Sequence, residues 1–278
     1  TMRLSILTLS FSLLCFLANE RARALEPVPD KLVVLGFDDC NKSDRHFVAE
    51  VLKKHGFGAT FYVTEGLGFH SGKGHYITWE EIVELHKMGF EIGNHTKSHP
   101  NVTRLSRGQL KAELTHIEKR CREHGISKPE TFAFPGFSNN LRAVEVLAEM
   151  GYRFARRGVG PEYPDSGSGA RGPAYDPAHD HPLLIPTTGY AGPKWGMKDL
   201  QWALSQAKDG QIAVLCFHGV PALDHPWVNC KPETFEKYMQ FLKDEGCTVI
   251  AMRDLARYVD PGKQPKDPYA PIRARVKK

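Results

Sequence analysis

Short apolar runs alternate with amphipathic segments along most of the chain. Residues 31–37, Lys-Leu-Val-Val-Leu-Gly-Phe, form a nearly continuous apolar run, which is typical of a strand covered on both faces. Similar runs predict the other strands at 59–63, 90–92, 131–134, 152–155, 183–185, 211–217 and 248–251. Helical patterns between them cover 43–56, 78–88, 106–124, 141–150, 198–208 and 232–245, with a short last helix ending near 258.

Two of these helices begin with a capping box, a Ser or Thr followed three residues later by Glu or Gln. The boxes are Thr78-Trp79-Glu80-Glu81 and Ser106-Arg107-Gly108-Gln109. Residues 158–182 are rich in Gly, Pro and Asp and are predicted to form a long surface insertion. About seven or eight strands alternating with helices predict a single α/β domain with parallel strands, but periodicity does not decide between an open sheet and a barrel.

The two ends differ in composition from the rest of the chain. Arg3 precedes an apolar stretch from Leu4 to Leu17, and Ala22-Arg23-Ala24 supplies the small residues of a cleavage site. This pattern predicts a signal peptide over residues 1–24, with cleavage after Ala24 and a secreted or periplasmic protein; the alternative is a membrane anchor, for which the run is short. Residues 25–260 would form the domain. Residues 261–278, which contain four prolines, are predicted to be a flexible basic tail.

Charge and cysteine content narrow the possible functions. The chain has a net charge of +5, but residues 261–278 carry +5 and residues 1–24 carry +2, so residues 25–260 are near −2. A nucleic-acid-binding face is therefore not expected. Export permits disulfides among Cys40, Cys121, Cys216, Cys230 and Cys247, but their number is odd and no CxxC pair indicates a cysteine zinc site.

Three predicted strands end in residues that can bind metal or transfer protons. Asp38 and Asp39 follow the first strand, His95 and His99 follow the third, and His218 follows the strand at 211–217. The carboxyl ends of parallel strands meet on one rim, so these side chains are expected to lie together. A carboxylate and two imidazoles can hold a divalent metal with open positions for water and substrate. The second Asp could then act as general base and His218 as general acid, although spacing alone does not say which Asp binds the metal.

These segments resemble a known family. The residues that carry the resemblance are Phe37-Asp38-Asp39, Asn94-His95-Thr96-Lys97-Ser98-His99-Pro100, Phe134-Pro135 and Val214-Leu215-Cys216-Phe217-His218-Gly219. Their order, spacing and strand context resemble those of the polysaccharide deacetylases with a NodB homology domain, carbohydrate esterase family 4. The resemblance extends over about residues 31–260.

The resemblance implies a distorted (β/α) barrel of about seven parallel strands and metal-dependent removal of acetyl groups from an acetylated oligo- or polysaccharide. It implies that Asp39, His95 and His99 hold the metal, most commonly zinc, that Asp38 is the base acting on a metal-bound water, and that His218 is the acid. Phe134, Pro135 and Gly136 would lie at the substrate, with a backbone N–H near Gly136 stabilising the oxyanion.

The chain departs from the family pattern at several positions. Ala133 stands where the family commonly has an Arg two residues before the motif Pro, and Arg156 or Arg157 could substitute for it. Cys40 and Cys216 replace a usual Gly and Leu, and no acidic motif to orient His218 is evident. Alternatives are a hydrolase of non-sugar C–N bonds on the same fold and a carbohydrate-binding relative without activity. Trp195 and Trp227 could line a sugar groove or be ordinary packing residues.

Overall fold

The computed structural model describes residues 24–72 and 74–277. Apart from Ala24, the predicted signal peptide lies outside these residues. Within them, no helix is both long enough and apolar enough to cross a membrane.

A curved, mostly parallel sheet forms the centre of the fold. The strands are β1 (Leu32–Asp38), β2 (Thr60–Val63), β3 (Glu91–Asn94), β4 (Thr131–Ala133), β5 (Phe154–Arg156), β6 (Ala170–Arg171), β7 (Gly189–Tyr190), β8 (Ala213–Phe217) and β9 (Thr248–Ile250). Their order is β5-β4-β3-β2-β1-β8-β7-β6, and β9 also pairs with β1. All pairs are parallel except β6 with β7.

The segment from Ile185 to Ala191 connects the two sides of this sheet. The Ile185 N–H donates to the Ala155 carbonyl at 2.9 Å, and the Ala191 N–H donates to the Cys216 carbonyl at 2.9 Å. These contacts join the β5 side to the β8 side and curve the sheet into a distorted barrel. The predicted fold is thereby confirmed, with nine strands instead of about seven. The predicted strand at 183–185 is instead mainly a 3-10 turn, Pro182–Leu184, and only Ile185 bridges to Arg156.

Seven α-helices pack around the sheet in the described part of the chain. They are α1 (Ala49–His55), α2 (Trp79–Lys87), α3 (Arg107–Glu123), α4 (Leu141–Glu149), α5 (Met197–Ser205), α6 (Pro232–Asp244) and α7 (Ala270–Val276). The capping boxes at Thr78 and Ser106 form as the sequence predicts, with each hydroxyl accepting from the N–H three residues later. A one-turn π-helix, Asp44–Val48, precedes α1.

The core under the site is aromatic. The Phe37 ring stacks on Phe61 and Phe217 at centroid distances of 5.1 and 5.5 Å, and Phe235 from α6 closes against it edge-on. Because Phe37 immediately precedes Asp38, this packing fixes the position of the carboxyl end of β1. Cys216 is fully buried, and the five described cysteines are all free.

Two segments differ from their prediction. The insertion at 158–182 is more than a surface loop, because it contains β6 and the buried side chains of Tyr175, Asp180 and His181. The tail contains α7, whose Ile272 is buried and whose Arg275 pairs with Glu162 and Asp180. A flexible extension is therefore the wrong description of α7.

Candidate active site

The carboxyl ends of β1, β3, β4, β7 and β8 surround one cavity of about 240 Å³. Its lining residues are Asp38, Asp39, Leu67, His95, His99, Gly136, Phe137, Asp165, Gly167, Tyr190, His218, His225, Trp227 and Val228. All the residues predicted to bind metal or transfer protons therefore meet at one rim. Of the three residues predicted to lie at the substrate, only Gly136 lines the cavity; Phe134 and Pro135 are buried.

The turn that carries the two histidines is held by its own side chains. The Asn94 side-chain oxygen Oδ1 accepts from the Thr96 N–H at 2.9 Å, and the Thr96 hydroxyl accepts from the His99 N–H at 3.1 Å. Thr96, His99 and Asp39 adopt positive φ values of 67°, 54° and 76°. Such a conformation is unfavourable for non-glycine residues, and several of them at one rim are typical of a functional site.

Asp39, His95 and His99 form a compact donor set. The Asp39 Oδ1 atom lies 3.4 Å from the Nε2 atoms of both histidines, and one ligand atom from each residue lies within 4.8 Å of the others. Oδ1 is buried and has no hydrogen-bond partner among the described residues. The His95 Nδ1 atom donates to the Ala133 carbonyl at 2.7 Å, which leaves the Nε2 lone pair directed into the site. Two imidazoles, one carboxylate and an unpaired buried oxygen fit a divalent metal ion.

The electrostatics of this donor set favour a positive charge. Burial by itself disfavours protonated His95, but the Asp38 and Asp39 carboxylates raise its pKa. Burial and the neighbouring His95 lower the pKa of His99 to about 4, so His99 is neutral at neutral pH and can act as a ligand.

Asp38 is bound by a buried arginine from across the barrel. The Arg156 Nη2 atom lies 2.8 Å from Oδ1 and 2.6 Å from Oδ2 of Asp38, and Nη1 lies 3.3 Å from the Thr187 hydroxyl. The guanidinium also lies over the rings of Tyr62 and Phe137, at 5.6 and 5.4 Å from their centroids. Burial alone would raise the pKa of Asp38, but the Arg156 cation together with His95 and His218 outweighs burial, and the pKa is lowered.

Of the two arginines considered as substitutes for Ala133, only Arg156 reaches Asp38. The Arg157 guanidinium instead donates to both carboxylate oxygens of Glu162, at 2.6 and 2.9 Å. Arg156 is the register partner of Ala133 in the neighbouring strand, so its side chain enters the barrel beside the position where the family has its arginine.

His218 faces the other oxygen of Asp39. Its Nε2 atom lies 3.9 Å from Oδ2, and burial lowers its pKa. Its Nδ1 atom is buried and has no hydrogen-bond partner among the described residues, which agrees with the lack of an acidic motif to orient it. Cys216 and His218 form a second donor group with Asp38, but the carboxylate of Asp38 is already engaged by Arg156.

Sequence reasoning missed one histidine of the cavity. The His225 Nδ1 atom lies 3.8 Å from Asp39 Oδ2, and no pattern in the sequence pairs this histidine with another residue. No motif could have found it, because the loop after β8 folds back over the rim. Trp227, on the same loop, lines the cavity, whereas Trp195 is buried in the core against Phe217 and Tyr238.

Comparison with known proteins supports the resemblance to a family. Residues 26–155 match the model of the family described as polysaccharide deacetylase. The resemblance to the polysaccharide deacetylase family is thereby confirmed. A putative polysaccharide deacetylase of Bacillus subtilis, YxkH, is 25% identical over 124 residues, which are 45% of this chain and 43% of that protein. An uncharacterized 30.6 kDa protein of Geobacillus stearothermophilus is 37% identical over 78 residues, 27% of this chain and 26% of that protein.

Solved structures of CE4 proteins share the fold. The CE4 domain of a multidomain xylanase from the hindgut metagenome of Trinervitermes trinervoides has a TM-score of 0.56 and 19% identity, covering 85% of this chain and 95% of that one. A CE4 family pseudoenzyme from Bacillus anthracis has a TM-score of 0.55 and 17% identity, covering 84% and 68%. These similarities establish the fold alone. The matches to the curated relatives span less than half of the length of those proteins.

Proposed function

We propose that this protein is an exported, metal-dependent hydrolase that removes acetyl groups from an acetylated carbohydrate. The observation that carries the proposal is the arrangement around Asp39. Its Oδ1 faces two histidines suited to a metal, while Asp38 and His218, suited to proton transfer, stand at the same cavity. The match of residues 26–155 to the polysaccharide deacetylase model supports an acetylated sugar as substrate.

Asp39, His95 and His99 would hold the metal, for which zinc is the first candidate because it accepts mixed nitrogen and oxygen ligands. When bound, such an ion supplies Lewis-acid activation of water and of the acetyl carbonyl. The hydrogen bond from His95 to the Ala133 carbonyl keeps the imidazole in the tautomer and orientation that this role requires.

Asp38 is the proposed general base. The Arg156 cation keeps its carboxylate ionised and fixes its orientation, so that it can accept a proton from the attacking water. This contact of Arg156 Nη2 with both carboxylate oxygens also argues against a protein that has lost catalysis, since a binding protein has no need of a fixed buried base.

His218 is the proposed general acid, which would give a proton to the departing amine or alcohol. Burial lowers its pKa, which favours release of a proton once it has been acquired. The Gly136 backbone lines the same cavity at a positive φ of 54°, and a backbone N–H in this turn is the proposed donor to the developing oxyanion.

The test is acetate release from N-acetylated chitooligosaccharides, peptidoglycan fragments and acetylated xylan, with and without a chelator. We expect release from at least one of them, its loss on chelation, and its recovery when zinc is added. His95→Ala should abolish it, whereas His179→Ala, which alters an exposed histidine far from the cavity lining, should not. Activity that survives both chelation and His95→Ala contradicts the metal mechanism.

A further inference from the structure

Trp227 presents an exposed indole at the rim of the cavity. Its exposed fraction is 54%, whereas Trp79 and Trp195 are each 5% exposed and Trp202 is half-buried. An exposed apolar side chain is unremarkable when isolated, but this one lines the cavity that holds the proposed base and metal ligands. Its position therefore indicates that Trp227 contacts a ligand in the cavity.

The loop that carries Trp227 is firmly anchored. The Val220 N–H donates to the Ser43 hydroxyl at 2.7 Å, and the Ala222 N–H donates to the Asn229 side-chain oxygen at 2.9 Å. The next residue, Val228, is buried. An indole on such a loop loses little conformational freedom when a ligand binds to it.

His225 supports the indole from within the cavity. The two rings contact each other at a centroid distance of 5.0 Å and an angle of 39°. The His225 side chain is only 16% exposed, whereas Trp227 keeps more than half of its surface open to solvent. One side of the Trp227 indole is therefore covered by His225, and the rest of the indole remains exposed and can contact a ligand.

The insertion supplies polar groups to the same cavity. Asp165 and Gly167 line it, and the buried Tyr190 donates its hydroxyl to the Asp165 carboxylate. Asp165 is exposed at the rim, so its oxygens can also accept hydrogen bonds from a ligand. The cavity thus combines an aromatic surface with a fixed carboxylate acceptor.

We propose that Trp227 and Asp165 form a pyranose-binding subsite, in which the indole stacks on the apolar face of a sugar ring and the carboxylate accepts hydrogen bonds from its hydroxyl groups. A sugar ring has C–H groups on its faces and hydroxyls at its edge, which is the pattern these two side chains match. The cavity volume of about 240 Å³ is below the roughly 300–1,000 Å³ of sites that enclose drug-sized ligands. It therefore suits an acetyl group with its own ring, while further sugar units extend over the rim. This inference deepens the proposed deacetylase function and rests on it.

Binding without turnover tests the subsite. In an Asp38→Asn background, titration calorimetry with penta-N-acetylchitopentaose and with acetylated xylopentaose gives the Kd of each probe. We expect Trp227→Ala to raise the Kd of the tighter probe at least about fivefold and Trp227→Phe to restore most of it, because a ring remains to stack. Asp165→Ala should also weaken binding. Leu223→Ala is the matched control, since Leu223 is 59% exposed on the same loop but does not line the cavity.

The active enzyme supplies the second measurement. With Asp38 intact, Trp227→Ala should raise KM with little change in kcat, and its melting temperature and metal content should equal those of the parent. Unchanged Kd and KM, or no binding of either probe, overturns the subsite. If the parent releases no acetate but binds a probe in a Trp227-dependent way, the proposed reaction fails and the subsite stands.

Discussion

Arg156 holds both carboxylate oxygens of Asp38 with one guanidinium nitrogen, from a strand that also registers with Ala133. Adjacent parallel strands present register partners on the same face of a sheet, so an arginine at either position can reach into the barrel. The guanidinium is fully buried, between two aromatic rings and the Thr187 hydroxyl. A charged pair so enclosed is fixed in both distance and orientation.

Removing this arginine should disable the base and destabilise the fold. Arg156→Ala leaves Asp38 as an uncompensated buried charge, which costs about 3–5 kcal/mol of unfolding free energy, and should lower kcat at least ~100-fold. Adding Ala133→Arg to that variant should restore part of the activity, because the new side chain enters beside the vacated position. Acetate release and denaturant unfolding measure both effects. Arg153→Ala, at an exposed residue paired with Glu130, is the control, and full activity of Arg156→Ala would contradict the positioning role.

The two adjacent aspartates should separate metal binding from proton transfer. Asp38→Asn should retain the metal and lose acetate release, since the amide cannot accept the proton from water. Asp39→Asn should lose most of the metal, because it removes the anionic ligand whose Oδ1 faces both histidines. Metal content by atomic spectrometry, measured beside activity, checks the pair. The opposite pattern would reverse the two assignments.

Helix α7 should contribute to the stability of the insertion. The Arg275 side chain is 26% exposed and donates to the nearly buried carboxylates of Glu162 and Asp180 at 3.0 and 2.7 Å. Arg275→Ala should cost about 1.5–3 kcal/mol, the range for hydrogen bonds to charged groups, and lower Tm by several degrees. Arg273→Ala, in the same helix at a side chain that is 56% exposed, should change Tm little. Equal Tm values for the two variants would show that the contacts of α7 do not stabilise the fold.

The Glu65 carboxylate should make stability depend on pH. Burial alone would raise its pKa, but hydrogen bonds from His116, Trp79 and Arg120 lower it from an ordinary 4.5 to about 2. A carboxyl whose folded pKa is lowered stabilises the fold fully above pH 4.5 and loses this contribution as the pH falls toward 2. The difference in unfolding free energy between the parent and Glu65→Gln should therefore be constant from pH 7 to 5 and shrink by pH 3. A constant difference down to pH 3 would contradict the shift.

The sequence pattern alone predicts the alternation of strands and helices, and it places Asp38, Asp39, His95, His99 and His218 at one rim. Continuous apolar runs such as 31–37 report burial on both faces, and capping residues such as Thr78 act within one turn, so both signals are local. Parallel strands share one rim at their carboxyl ends, but this rule does not say which of the two aspartates faces the histidines. In the structure it is Asp39, whose Oδ1 atom lies 3.4 Å from the Nε2 atoms of both His95 and His99.

Which arginine contacts Asp38 and which loop covers the cavity follow from tertiary packing and not from the sequence pattern. Arg156 and Arg157 are consecutive residues, and their opposite directions follow from the pleat and register of β5. His225 and Trp227 reach the site through a fold of the β8–α6 loop that no periodicity encodes. The docking of α7 depends on Glu162 and Asp180, which are distant in sequence from Arg275. Strand and helix patterns depend on residues that are close in sequence. These three contacts join residues that are distant in sequence and come together only in the folded barrel.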